Sequence, residues 1–241
     1  MKQRGVKSRP IQPLVAYRAI RTLLANPEET ALVFRIIRAL SGQSFERLYQ
    51  RVLADPTGSV VLNERRNILA VLQGRDELRA FPAGTLGREY ARFLDCEGIT
   101  AEGLVEASDE AEDDAVFLDE RARVLSMRLR DTHDLWHVVT GYQRDLFGEG
   151  ALLAFSYAQT RNPGIAFIVV MAALRRWREG HIDAVKLSWQ AWRRGRRAAS
   201  FVAADWEGLL KLPLAEVRRQ LRIDEPAEYT PLFSAAAAAA R

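Results

Sequence analysis

The stretch LDERARVLSMRLRDTHDLWHVVTG, residues 118–141, decides how this chain is read. Leu118, Ala122, Leu125, Leu129, Thr132 and Trp136 recur at spacings of four and three, which gathers them on one mostly apolar helical stripe. A helix is therefore expected over 117–141. The same period recurs outward in both directions. Asn26-Pro27-Glu28-Glu29 is a helix start, with a capping Asn, a first-turn Pro and acids at the positive end; Leu32, Ile36, Ile37 and Leu40 follow. Phe45, Leu48, Val52 and Leu53 form a second set, closed by Asp55-Pro56-Thr57-Gly58. Leu86, Tyr90 and Leu94 mark a third. Further helices are expected over 149–161, 165–179, 182–203 and 213–221. Only Ser59 to Leu62 looks strand-like, too short and isolated to build a sheet. The expected fold is an all-α, single-domain helical bundle spanning 1–234, with the poly-alanine end, 235–241, left outside it.

Composition agrees with a globular protein and narrows little else. The chain has 241 residues, 48% of them hydrophobic and 27% charged, enough for a real core and unlike a disordered or fibrous protein. One cysteine, Cys96, cannot form an intramolecular disulfide, so a reducing compartment is expected, with Cys96 as small core filler. The longest apolar run, Ile165 to Leu174, has ten residues, half of the ~20 that a spanning helix needs. MKQRGVKSRP at the start leads into no apolar core, so no cleavable secretory signal is expected.

Charge is distributed in blocks. Residues 1–21 carry six Lys/Arg and no acid, 102–120 carry nine acids and no base, and 175–197 carry eight Lys/Arg against Glu179 and Asp183. Such blocks usually form solvated faces. The last one interleaves Trp177, Trp189 and Trp192 with its arginines, the residue mixture of a peripheral membrane contact. Nucleic acid would use similar residues, but no nucleic-acid-binding signature is present and none is expected as a partner.

The chemistry is concentrated in His133-Asp134-Leu135-Trp136-His137, which holds two of the three histidines. Residues four apart on a helix stand one above the other, so both imidazoles can reach one ion. Glu149 can return on the next helix as a third ligand, or merely cap that helix. Asp134 can bind the ion, orient an imidazole or handle a proton. A zinc protease of the HExxH type would need Glu where Asp134 stands, and an HD-type phosphohydrolase would need an upstream His that this chain lacks. Two His with a carboxylate suit zinc or non-haem iron, and spacing leaves the metal open. His181, among arginines, is expected at the surface.

The segment from Arg128 to Glu149 resembles the signature of the Coq-four family of ubiquinone (coenzyme Q) biosynthesis proteins: HDxxH, eleven residues, then Glu. PAGTLGREYARFLDCEG (82–98), Phe155, Gln159, Pro163 and RRGRRAASFVAADWEGLLKLPLAEVRRQLRI (193–223) are similar to other parts of that family, in order. The resemblance implies one divalent metal ion, zinc or iron, on His133, Asp134, His137 and Glu149, beside an apolar tunnel for a polyprenyl chain. It implies a polyprenylated 4-hydroxybenzoate-type precursor that loses its carboxylate, by simple or oxidative decarboxylation. Asp134 would manage the proton. Arg128 and Arg130 would steady the carboxylate, or only pair with Asp131 and Asp134. It also implies a peripheral position on a membrane, on the cytoplasmic face in a bacterial-type cell, among other ubiquinone-biosynthesis proteins. An apolar helix surface would support a homodimer. The rival readings are a non-catalytic isoprenoid-lipid binder that organises a biosynthetic complex, and a hydrolase of an isoprenoid phosphate.

Overall fold

The computed structural model describes residues 4–7, 10–27, 29–100, 117–223, 225 and 229–232. Most of the acidic block 102–120, and the poly-alanine end, lie outside the described residues. Fourteen helices make up the regular structure of the described part, and its only β-type pairings are the single bridges Val6–Phe117 and Thr85–Pro213. The all-α reading holds. No helix among the described residues is long and apolar enough to cross a membrane.

Helices α1 (Pro13–Ala25) and α2 (Thr30–Ser41) pack together through Ala16, Ile20, Leu23, Leu32 and Ile36, and α11 (Pro163–Arg178) joins them through Ile168. Pro163 in the first turn and the Asn162 side chain, accepting from Gly164 N at 2.8 Å, start α11. Helix α10 (Leu146–Thr160) lies along α12 (Ile182–Arg197). Buried Gln159 locks that pairing: its Nε2 donates to Gly195 O at 2.7 Å, and its Oε1 accepts from Phe201 N at 3.0 Å. The largest apolar cluster gathers around Tyr90 and Leu94 of α7 (Leu86–Glu97), Trp136, Phe155, Phe201 and Trp206. Trp136, Phe155 and Phe201 meet edge to face at centroid distances of 4.9–6.2 Å.

Several expectations are corrected. Ser59 to Leu62 is helical, within α4 (Pro56–Asn63); Asp55 both follows α3 (Ser44–Ala54) and caps α4, accepting from Gly58 N at 2.9 Å. Asp55-Pro56 is thus a start as much as a stop, and it overrides the β-branched Val60 and Val61. The helix expected over 117–141 is two: α8 (Glu120–Asp131) and α9 (His133–Thr140), interrupted at Thr132 (φ −90°, ψ 2°). The Thr132 hydroxyl donates to Arg128 O at 2.7 Å, sharing a carbonyl that also accepts the Thr132 N–H at 3.0 Å. Cys96 is exposed rather than core. It sits two residues beyond inward-facing Leu94, some 200° around α7. Helix α12 ends at Arg197, where Ala198 turns extended (φ −60°, ψ 154°), instead of running to 203. Helices α1, α5 (Ile68–Gln73) and α6 (Arg75–Arg79) were not anticipated; α13 (Trp206–Leu209) and α14 (Leu214–Leu221) complete the set.

Candidate metal centre

Helix α9 presents the two histidines and α10 returns the carboxylate. Gly141, at φ 80°, ends α9 in the left-handed conformation and turns the chain back over it. That turn brings the Tyr142 carbonyl oxygen to 2.9 Å from His137 Nδ1. A carbonyl only accepts, so Nδ1 carries the hydrogen. In the neutral ring the lone pair is then on Nε2, which is buried and has no hydrogen-bond partner. Phe93 stacks on the imidazole at 5.8 Å between centroids, and His133 meets it edge-on at 5.0 Å.

Glu149 faces both rings. Its Oε1 lies 3.4 Å from His137 Nε2 and its Oε2 lies 3.7 Å from His133 Nε2. One ligand atom from each of the three residues falls within 4.8 Å of the others. Donors about 3.3 Å apart are what bonds of ~2.05 Å to a tetrahedral ion require. An orphaned buried imidazole nitrogen, a backbone carbonyl holding the other ring nitrogen and an acidic group opposite suit a divalent metal, so the residues present fit one. Without a cation the charges lean on one another. Burial acts to lower the His137 pKa, but the Glu149 carboxylate beside it, helped by Asp134, outweighs burial and raises it. Burial likewise opposes ionisation of Glu149, yet His137 and His133 hold its carboxyl well below the usual range.

His137 is wholly enclosed, whereas His133 and Glu149 each keep a partly open side. That side gives onto a cavity of about 750 Å³. Its walls are apolar where α1, α2 and α11 supply Ile20, Leu23, Val33, Ile37, Ile165 and Ile168, and polar at the end holding His133, Asp134, Arg130, Arg144 and Glu149. The size falls within the ~300–1,000 Å³ of ordinary ligand pockets.

The other expected site residues divide. Asp134 is buried and lines the cavity, outside the three-residue ligand cluster. Arg130 also lines it, with Nε 2.8 Å from Asp131. Arg128 is turned elsewhere: its buried guanidinium grips Glu207 with both terminal nitrogens, at 2.5 and 2.9 Å. His181 is exposed, as expected. Sequence reading missed Glu207, Arg144 and the strap at 229–232. Tyr229 donates to Asp145 Oδ2 at 2.9 Å and accepts from Gln143 N at 3.0 Å, while Leu232 N donates to Asp145 Oδ1 at 2.9 Å. The strap thus pins the turn that carries Tyr142, next to the start of α10. Only Gly141 signalled that turn in the sequence; the rest are partners some eighty residues away.

Comparison with known proteins places this chain in a family. The family profile described as "Coenzyme Q (ubiquinone) biosynthesis protein Coq4" matches residues 9–227. The chain is 31% identical over 207 residues to the mitochondrial ubiquinone biosynthesis protein coq4 of Aspergillus niger, covering 84% of this chain and 68% of that one. To its counterpart in Paracoccidioides brasiliensis it is 31% identical over 211 residues, covering 86% and 70%. A crystal structure of a candidate ubiquinone biosynthesis protein from Nostoc punctiforme superimposes with a TM-score of 0.66 at 23% identity, covering 88% of this chain and 98% of that one, which supports the fold. On the length and identity of these matches, the chain belongs to the Coq4 family of coenzyme Q (ubiquinone) biosynthesis proteins.

Proposed function

We propose that this chain acts in ubiquinone biosynthesis by removing the carboxylate from a polyprenylated 4-hydroxybenzoate-type precursor. The observation that carries the reading is the placement of His133, His137 and Glu149 at the polar end of a cavity whose remaining walls are apolar. One end suits a polar ring, the other a hydrocarbon tail. Each methylene moved from water into the apolar part contributes about 0.8 kcal/mol, so the tail supplies affinity and the polar end supplies orientation.

His133, His137 and Glu149 would hold the ion, and a bound zinc or iron would supply Lewis acidity towards the headgroup oxygens. The Tyr142 carbonyl keeps the His137 ring in the tautomer whose Nε2 faces Glu149. Asp134, which lines the same cavity, would return a proton to the ring carbon that gives up carbon dioxide. Arg130 faces the same cavity and would steady the precursor's carboxylate before it leaves as neutral carbon dioxide. Arg128, held by Glu207, supports α8 instead. With three protein ligands, a bound ion would have a position to offer the substrate, as catalytic sites do.

Access from a membrane would use the α11–α12 face. Trp177 and Trp189 are 60% and 57% exposed there, Trp189 stacks on Trp192 at 4.7 Å, and arginines surround them. The test is incubation of metal-loaded protein with a prenylated hydroxybenzoate, with and without oxygen. Loss of the carboxylate supports the reading, and oxygen dependence makes the step oxidative. Bound lipid with no turnover under any metal would replace the enzyme by a lipid-binding scaffold.

A further inference from the structure

Several arginines that face the cavity already have close carboxylate partners: Arg123 has Glu120, Arg130 has Asp131 at 2.8 Å, and Arg176 has Glu179 at 2.6 Å. Arg144 differs. Its nearest acidic partner is the ligand carboxylate itself, with Nε 3.7 Å from Glu149 Oε1, beyond hydrogen-bond distance. Its side chain, one-third exposed, makes no hydrogen bond to any described residue. Yet its backbone is well anchored, because Tyr229 holds Gln143 on one side and Asp145 accepts from Phe147 and Leu232 on the other. This guanidinium, on a pinned turn and lining the cavity, thus has as its ion-pair partner a carboxylate that a bound metal would engage.

The charges indicate what Arg144 would then face. Arg130 and Arg144 stand among Asp131, Asp134 and Glu149, leaving the group one negative charge in excess. A divalent cation would reverse that to one positive charge, and Glu149 would then be committed to the cation. Arg144 would face a neutralised carboxylate, and the polar end as a whole would favour one further anion. Guanidinium presents two parallel N–H donors, which match a carboxylate better than they match a hydroxyl.

We propose that Arg144 is a docking residue for the carboxylate of an aromatic acid bound beside the metal ligands. The inference rests on the metal-dependent reading above and adds to it the group that recognises the substrate anion. Arg144 precedes the Asp145 cap in a turn that spacing did not mark, and Arg128 and Arg130 were the arginines expected in this role.

The test compares zinc-loaded wild type with Arg144→Gln and Arg144→Lys by calorimetric titration of 4-hydroxybenzoate, phenol and inorganic phosphate. Zinc content and melting temperature of each protein are measured first, and are expected to be equal. Arg144→Gln should weaken 4-hydroxybenzoate about ten- to a hundredfold, the range for a charge-assisted hydrogen bond, and leave phenol unchanged. Arg144→Lys, which keeps the charge and loses the fork, should fall between. Unchanged 4-hydroxybenzoate affinity in Arg144→Gln, equal losses for phenol, or wild type preferring phosphate would each overturn the assignment while leaving the metal centre intact. A wild type that takes up no zinc or iron would overturn the metal centre itself, and the docking role with it.

Discussion

Two glycines of α10, two residues apart, should respond oppositely to the same substitution. A Cβ on Gly150 would meet nothing within 4 Å. Gly150→Ala then only removes backbone freedom from a helix interior, and should stabilise by about 0.5–1 kcal/mol. A Cβ on Gly148 would overlap the Gln143 carbonyl oxygen and come within 2.7 Å of the Tyr229 hydroxyl and 2.8 Å of Asp145 Oδ2. None of these can yield cheaply, since Tyr229 and Asp145 are bonded to each other and the carbonyl belongs to the turn after α9. Overpacking against backbone costs about 3 kcal/mol, and the helix gains about 1 kcal/mol from Ala, so a net loss of about 2 kcal/mol is expected. For a chain of this size that lowers the melting temperature by about 4–8 °C. Because the displaced turn carries Tyr142, which fixes His137, Gly148→Ala should also bind metal more weakly. Thermal unfolding in chelator gives the first quantity and metal titration the second. A Gly148→Ala protein that melts at or above wild type and keeps its metal affinity would refute this view of the turn.

Other consequences are as specific. Arg128→Ala leaves Glu207 without its buried bidentate partner and should destabilise by about 3 kcal/mol in denaturant titration, while metal content stays at the wild-type level. Tyr229→Phe removes the hydroxyl shared by Gln143 and Asp145; metal affinity should fall about three- to tenfold by competition titration with little change in helical content. Acid sensitivity should come partly from Asp119. The Arg121 guanidinium, and then the Tyr49 hydroxyl, hold its carboxyl well below the ordinary range. A depressed carboxyl stabilises the fold fully above its unfolded value of about 4, and that contribution disappears as pH falls through the folded value. The melting temperature of wild type should therefore drop more steeply between about pH 5 and 2 than that of Asp119→Asn, and parallel curves would contradict this.

What the sequence made legible was whatever repeats locally. The apolar stripe through Leu125 and Trp136 marked helical chain on both sides of Thr132, and the spacing of His133, His137 and Glu149 anticipated a cluster that the fold does assemble. Period alone could not reveal the interruption at Thr132, because the apolar spacing runs on across it from Leu129 to Trp136. Nor could it separate Arg128 from Arg130, two positions apart on one helix. Glu207 takes the first from seventy-nine residues away, while the second faces the cavity. Cys96 was misplaced for a similar reason: small size argued for the core, but its angle around α7 from Leu94 carried it outward. The strap at 229–232 has no local pattern at all, and its role appears only when Asp145 is seen to accept from it.

The proposed function assigns metal binding and decarboxylation to one cluster, of which His137 is the most enclosed member. The most direct measurement takes wild type and His137→Ala through metal analysis and turnover of a prenylated hydroxybenzoate on the same preparations. Wild type should carry about one divalent ion per chain and release carbon dioxide. His137→Ala should lose the ion and the turnover together while remaining folded by circular dichroism. Turnover retained in a metal-free His137→Ala protein would contradict the assignment.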